Sequence, residues 1–151
     1  MSADYFLPKA ADHESLSGWS DILPPEARVL RTNLFGDAFL VDALGAVHML
    51  ERAACTIGVV AASEEEFWRK IDHDEDGWQL RPLLDECRSA GKVLEGAQCY
   101  TLTTPPLLGG DYTATNVSVA PWREWFEFTA NLFKQTKNLP EGTRVSIRVT
   151  D

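Results

Sequence analysis

The chain has 151 residues, of which 44% are hydrophobic, and its formal net charge at pH 7 is −9. This length and composition allow one domain with a buried core and exclude an intrinsically disordered chain. The negative charge argues against nucleic acids and anionic membranes as direct partners, because both bind proteins through basic patches, and it leaves a basic protein partner open.

The first residues and the cysteines predict the compartment in which the protein works. The N-terminal sequence lacks the basic and apolar regions of a secretory signal. No apolar run reaches the ~18 residues needed to span a bilayer. Cys55, Cys87 and Cys99 are odd in number and widely spaced, which is typical of reduced thiols. The sequence therefore predicts a cytoplasmic protein.

The first third of the chain predicts an irregular segment followed by a β-meander. Residues 1–27 show no clear periodicity and end near a proline pair. Three strand-like runs then begin near residue 28. Residues 42–45 suit a hairpin turn, because Gly45 can adopt a positive φ without strain. Short connections between consecutive strands favour antiparallel pairing.

Two helices joined by an acidic loop are predicted next. Ser63 and Glu66 have the three-residue spacing of a capping box, so the first helix is expected to begin at Ser63. The second helix is expected to begin near Pro82, because proline fits the first helical turn, and to end at Gly91.

The rest of the chain predicts short strands around a fixed loop and one strongly amphipathic helix. Apolar residues recur at helical spacing over residues 122–133, and residues 143–149 alternate as a final strand. These elements predict an α+β fold. The expected sheet is mixed but mainly antiparallel and has about six or seven strands, and about three helices pack over it in a single layer. The expected organisation is a single domain, residues 1–151, with its core in residues 28–151.

The acidic loop contains the pattern D-x-D-x-D-G, which begins a calcium-binding EF-hand loop. Counted from Asp72, positions 1, 3, 5 and 6 match that loop, but position 12 is Leu83 instead of the required bidentate Glu. The sequence therefore predicts no metal site. Residues 63–76 hold seven carboxylates against Arg69 and Lys70, and they form either an ordinary solvated surface or a partner-binding face.

Catalytic chemistry is not indicated. His13, His48 and His73 are scattered, and no third group is predicted to orient a nucleophile and base. The glycine-rich loop near residue 110 lacks the Lys-Ser/Thr of a phosphate-binding P-loop. The sequence predicts a protein that is not an enzyme and has no cofactor. A small-molecule site beside this loop remains an alternative, with Asp111 and Tyr112 as its nearest titratable groups.

Several segments in order resemble a known bacterial family. They are an F-G-D-x-F strand start, a glycine hairpin, a Ser-capped helix containing Glu-Phe, and a Cys-Tyr…Pro…Leu-Gly-Gly loop. Together, over about residues 30 to 145, they resemble the C-terminal domain of type VI secretion immunity proteins, which in the best-understood members follows a GAD-like domain. The structural motif positions are Gly36, Gly45, Cys99, Tyr100, Pro105, Pro106, Gly109 and Gly110.

The resemblance implies a cytoplasmic protein that binds a nuclease toxin and blocks it. Nucleases hold phosphates in basic clefts, which an acidic surface can fill. An interaction or scaffold domain without a toxin partner, including a homodimer, is the alternative. The residues expected to contact the toxin are Glu64, Glu65, Asp72, Asp74, Glu75 and Asp76, with Trp78 as an anchor.

Overall fold

The computed structural model describes residues 5–12 and 16–140, which contain six strands and four helices. The strands are β1 (Arg28–Thr32), β2 (Ala38–Val41), β3 (Val47–Glu51), β4 (Thr56–Ala61), β5 (Gln98–Leu102) and β6 (Val117–Pro121). The helices are α1 (Lys9–Asp12), α2 (Glu64–His73), α3 (Arg81–Ser89) and α4 (Trp122–Thr136). The predicted final strand, residues 143–149, lies outside the described residues.

The meander is confirmed and has a fourth strand. Strands β1 to β4 form one sheet in chain order, and every neighbouring pair is antiparallel. The hairpin turn between β2 and β3 has Gly45 at φ +90°, as predicted. The Oδ1 atom of Asp42 accepts the N–H groups of Leu44 and Ala46, at 2.9 and 3.0 Å, so the side chain of Asp42 fixes the turn as an Asx motif.

The remaining two strands, β5 and β6, pair antiparallel in a second sheet. The α+β class and the antiparallel pairing are therefore confirmed, with the strands divided four and two between two sheets. The single layer of helices over one sheet stays a prediction. Residues 62–97, which include α2 and α3, lie in the chain between the last strand of the first sheet and the first strand of the second.

Helix α4 follows β6 without a break, and its apolar face is buried as its spacing predicts. Helix α3 begins one residue before Pro82, and Gly91 follows its end at φ +83°. No helix among the residues that the structure describes is long and apolar enough to cross a lipid bilayer.

The N-terminal segment contributes to the core. Leu7 and Ala11 are buried in the cluster that contains α3, β5 and α4, while Trp19 stacks on Phe133 with ring centroids 4.8 Å apart. Offset aromatic stacking of this kind adds to the free energy gained by burying the rings. Residues that precede the first strand thus help to hold α4 in place.

Candidate functional site

The acidic segment, which is defined here as residues 63–78, begins at the N-terminus of α2 with a variant of the capping box, in which Glu66 bonds to Ala62 instead of to the N-cap residue Ser63. The Oγ atom of Ser63 accepts the N–H of Glu66 at 3.1 Å, and Oε2 of Glu66 accepts the N–H of Ala62 at 3.2 Å. The bond from Ala62, together with nearby Lys70, lowers the pKa of Glu66. This reciprocal capping fixes the direction in which α2 leaves the sheet.

Three of the predicted contact carboxylates already have partners within the chain. Glu64 forms an ion pair with Arg28 of β1 at 2.7 Å. Oδ1 of Asp74 accepts the N–H of Gln79 at 2.9 Å, and Asp74 itself has a left-handed backbone at φ +49°. Asp76 lies 3.8 Å from Lys70. These three residues therefore help to shape the segment.

The other three, Glu65, Asp72 and Glu75, are exposed. Within the part of the chain that the structure describes, no hydrogen bond or ion pair involves their carboxylates. Glu65 and Asp72 are seven residues apart on α2, so they lie on one face of the helix, with exposed Arg69 between them. These carboxylates are free to meet a partner.

Trp78 is half-buried and packs into the core. Its ring stacks on Phe67 at 5.7 Å between centroids, and it also contacts Phe39. Its carbonyl accepts the Nδ2–H of Asn33 at 2.9 Å. A partner could reach only the exposed edge of this indole, so its predicted role as an anchor would be limited to that edge.

The loop after α2 is shaped by one of its acidic side chains, that of Asp74, and shows no metal site. Among residues 5–12 and 16–140, no three His, Cys, Asp or Glu side chains converge so that they could hold a metal ion. Leu83, at the position where a calcium loop has its bidentate Glu, is buried in the core. Arg81 donates to the carbonyl oxygens of Ile71 and Asp72 and so caps the end of α2.

The residues that organise this region lie in the connection between β1 and β2, which will be called the FGD loop (residues 33–37). Asn33 is fully buried, and its Oδ1 atom accepts the N–H groups of Phe35 and Asp37, both at 2.9 Å. The indole N–H of Trp125 donates to the carbonyl of Phe35 at 3.0 Å. With the bond from Asn33 to Trp78, the loop joins the sheet, the acidic segment and α4.

The position of Asn33 was not predicted to be important. An Asn four residues before an Asp, with a glycine between them, is the local pattern that could have indicated a side chain bonding to its own loop. The bond to Trp78 spans 45 residues, and no local pattern encodes it.

Asp37 is a buried carboxyl group at the end of the FGD loop. Its oxygens accept the Nδ2–H of Asn33 at 3.2 Å and the backbone N–H of Arg52 at 3.1 Å. The guanidinium of Arg52, also buried, lies 3.8 Å from the ring centroid of Phe126. Burial raises the pKa of Asp37 to about 7, against the lowering effect of the bond from Asn33. Removing a carboxylate from water favours its neutral form.

Asp37 is therefore expected to make stability depend on pH. In the unfolded chain it loses its proton near its ordinary pKa of 3.8, whereas in the folded chain it keeps the proton until about pH 7. Between these values the folded state binds more protons, so the contribution of Asp37 to the free energy of unfolding falls as pH rises. The upper limit of the change is roughly 4 kcal/mol at about 1.4 kcal/mol per pKa unit.

The variant Asp37→Asn tests this expectation in urea unfolding from pH 4.5 to 8. Asparagine does not titrate, so the free energy of unfolding of the variant minus that of the wild type should rise up to about pH 7 and then level off. The new asparagine has one side-chain oxygen, so when this oxygen accepts the N–H of Arg52 its NH2 group faces the NH2 group of Asn33. Two donors then face each other, which lowers the free energy of unfolding by an amount that does not depend on pH. A difference that stays constant across this range would contradict the assignment.

The remaining predicted motif residues build a loop with a small cavity. Gly109 has φ +91°, and a Cβ on Gly110 would lie 1.6 Å from the carbonyl oxygen of Thr104. The cavity beside them has a volume of about 350 Å³, and Asp111 is its titratable lining residue. Tyr112 is exposed and does not line it. Binding of a small molecule at this cavity stays a prediction.

The described histidines and cysteines lie in strands, helices and turns, where their contacts are those of structural residues. His48 is 2.8 Å from Asp42, and this contact lowers the pKa of Asp42. His73 ends α2, and His13 lies outside the described residues. Burial raises the pKa of Cys55 to about 11 and that of Cys99 to about 12, so both remain thiols near neutral pH.

Comparison with known protein families gives one match. Residues 61–133 match the family described as "T6SS immunity protein Tdi1, C-terminal", which confirms the family resemblance seen in the sequence. The matched residues run from the end of β4 to α4 and include the whole acidic segment. Neither the curated proteins nor the solved structures yielded a match.

Proposed function

We propose that this chain is a cytoplasmic immunity protein that binds a secreted nuclease toxin and neutralises it without catalysing a reaction. The observation that carries the proposal is the match of residues 61–133 to an immunity protein domain. That region contains the acidic segment, which is the most strongly charged stretch of a chain with net charge −9.

The geometry supports an acidic contact surface of limited size. Glu65, Asp72 and Glu75 are exposed, and their carboxylates form no hydrogen bond or ion pair with any other residue that the structure describes. Opposite charges across an interface speed association and are screened by salt. A nuclease needs a basic cleft for its substrate's phosphates, so a protein that places carboxylates in that cleft excludes the nucleic acid.

The test is capture of the toxin by the variant Glu65→Lys, Asp72→Lys, Glu75→Lys. The candidates to test are any secreted nucleases whose genes are found next to the gene of this chain. We expect toxin affinity to fall about 100-fold or more, because charge reversal at several contacts costs several kcal/mol, and protection of toxin-expressing cells to be lost. The variant should unfold within a few degrees of the wild type, because none of these carboxylates forms a hydrogen bond or ion pair in the described chain. The expected loss of about 1 kcal/mol comes from Glu65→Lys, which places a positive charge in the first turn of α2, where the helix dipole favours a negative one.

The matched control reverses three other exposed carboxylates, Glu86, Glu124 and Glu127, which lie on α3 and α4. It changes the net charge by the same amount and should leave toxin affinity within about threefold. Equal losses in both triple variants would indicate an effect of net charge alone. Full capture by the first variant would reject the acidic surface, and failure of the wild type to bind any neighbouring toxin would favour a scaffold domain.

A further inference from the structure

A β-bulge in β1 places two arginine side chains on the same face of the four-stranded sheet. The register of β1 and β2 shifts between Val29 and Arg31. As a result, Arg28 lies opposite Val41, and Arg31 lies opposite Phe39. These two partners are two residues apart on β2 and therefore point to one face, which is the face that α2 covers. In a regular strand, residues three apart would point to opposite faces.

The bulge and α1 together form a basic cavity, which is defined here by Lys9, Arg28 and Arg31. The cavity has a volume of about 340 Å³, and its other lining residues are Asp12, Val29 and Leu30. Three cationic side chains thus line it with one carboxylate, in a chain whose net charge is −9. Among the described residues, no hydrogen bond or ion pair involves the ammonium group of exposed Lys9, and Arg28 uses only its Nη2 atom, which donates to Glu64. Nitrogen donors are therefore available to an anionic group.

Trp68 of α2 lies between the basic cavity and two of the free carboxylates. The guanidinium of Arg31 lies 5.2 Å from the ring centroid of Trp68. Trp68 is three residues after Glu65 and four before Asp72, and residues at these spacings are neighbours on a helix surface. The basic cavity and the free carboxylates of α2 are therefore adjacent, with a half-buried indole between them. Tryptophan and arginine are residue types that often dominate the binding energy of an interface.

We propose that the basic cavity receives an aspartate or glutamate side chain of the toxin, while Glu65 and Asp72 meet basic residues beside it. This inference rests on the proposed function and assigns a second, opposite charge to the same contact surface. A surface with two signs of charge accepts a partner in one orientation, because a wrong register brings like charges together. The basic cavity thus contributes to the choice between toxins as well as to affinity.

The charge of the whole chain favours a protein side chain over a free anion as the occupant. A net charge of −9 disfavours the approach of small anions and nucleic acids to the cavity. An acidic side chain of a basic toxin is instead carried to the cavity by the attraction between the two proteins. Its carboxylate can accept charge-assisted hydrogen bonds from Lys9 and Arg28, whose side chains are exposed.

The test measures the affinity of the variant Lys9→Glu, Arg28→Glu for a toxin that the wild type captures. Each substitution makes the chain more negative by two charges, so the overall attraction of a basic toxin increases. Affinity should nevertheless fall at least about tenfold, because carboxylates then face each other at the contact. The ion pair of Arg28 with Glu64 is exposed and contributes at most about 1 kcal/mol, so the variant should remain folded at the assay temperature, which circular dichroism checks.

The matched control is Arg123→Glu, Lys134→Glu, at exposed positions of α4. It changes the net charge by the same amount, so its affinity for a basic toxin should equal that of the wild type or be severalfold higher. A loss in the cavity variant without a loss in the control supports the basic cavity. Equal affinities of the two variants overturn this inference and leave the proposed function in place, whereas a wild type that captures no toxin rejects both.

A compensating change in the toxin tests the chemistry of the occupant. The toxin's acidic residues are replaced by lysine one at a time, and one replacement should weaken binding to the wild type but strengthen binding to the cavity variant. In a double-mutant cycle this pair should be coupled by at least about tenfold in affinity. A loss of affinity in the cavity variant that no such replacement restores would overturn the assignment of an acidic side chain to the cavity.

Discussion

Replacing Gly36 with alanine is expected to lower the free energy of unfolding by about 3 kcal/mol or more, from the sum of a strained backbone and an overpacked contact. Gly36 has φ +86°, which side chains rarely adopt. An added Cβ would lie 2.7 Å from Cε1 of Phe126 and 3.2 Å from Cδ1 of Trp125. Both rings are buried, and the indole of Trp125 is bonded to Phe35, so neither ring can move freely.

Gly45→Ala is the matched control for this measurement. Gly45 has nearly the same backbone angle, φ +90°, but an added Cβ would have no atom within 4 Å. It isolates the backbone cost, which should be about 1 kcal/mol in urea unfolding. Equal losses in the two variants would mean that α4 does not pack against the FGD loop as described.

The variant Asn33→Ala is expected to cost about 3 to 4 kcal/mol, because it leaves several buried polar groups without partners. The N–H groups of Phe35 and Asp37 and the carbonyl of Trp78 each lose a hydrogen bond. Asp37 also loses the side-chain donor that lowers its pKa. Its pKa should therefore rise further, and the pH-dependent part of stability should shift with it.

Asn116→Ala is the control for this loss. The amide of Asn116 makes a comparable set of bonds, to the backbone of Thr104 and to the carbonyl of Asp111. Asn116 is only half-buried, so water can replace those bonds and the cost should be about 1 kcal/mol. A small loss for Asn33→Ala, equal to that of the control, would show that water reaches the FGD loop.

The bond between Asn33 and Trp78 connects stability to the proposed function. It holds the end of the acidic segment against the sheet, while Phe67 and Trp78 stack beneath α2. The carboxylates of Glu65, Asp72 and Glu75 thus project from a support that is fixed before any partner arrives. Pre-organisation of this kind reduces the entropy lost on binding.

Local patterns in the sequence were sufficient for several features. The spacing of Ser63 and Glu66 predicted the capping box, Gly45 predicted the hairpin turn, and the 3.6-residue repeat in residues 122–133 predicted the buried face of α4. Each depends on residues within a few turns or one hairpin, so the controlling contacts lie close together in the chain. The ordered motifs likewise indicated the family that residues 61–133 match.

Only the tertiary structure separated the six acidic residues into three that have partners within the chain and three that have none among the described residues. Glu64 is engaged because Arg28, 36 residues earlier, reaches it across the sheet. The burial of Asp37 also depends on which segments pack together. Composition and periodicity depend on the residues that adjoin each other in the chain. Charge pairing, burial and strand pairing depend on residues that are distant in sequence, so the sequence alone could not decide these features.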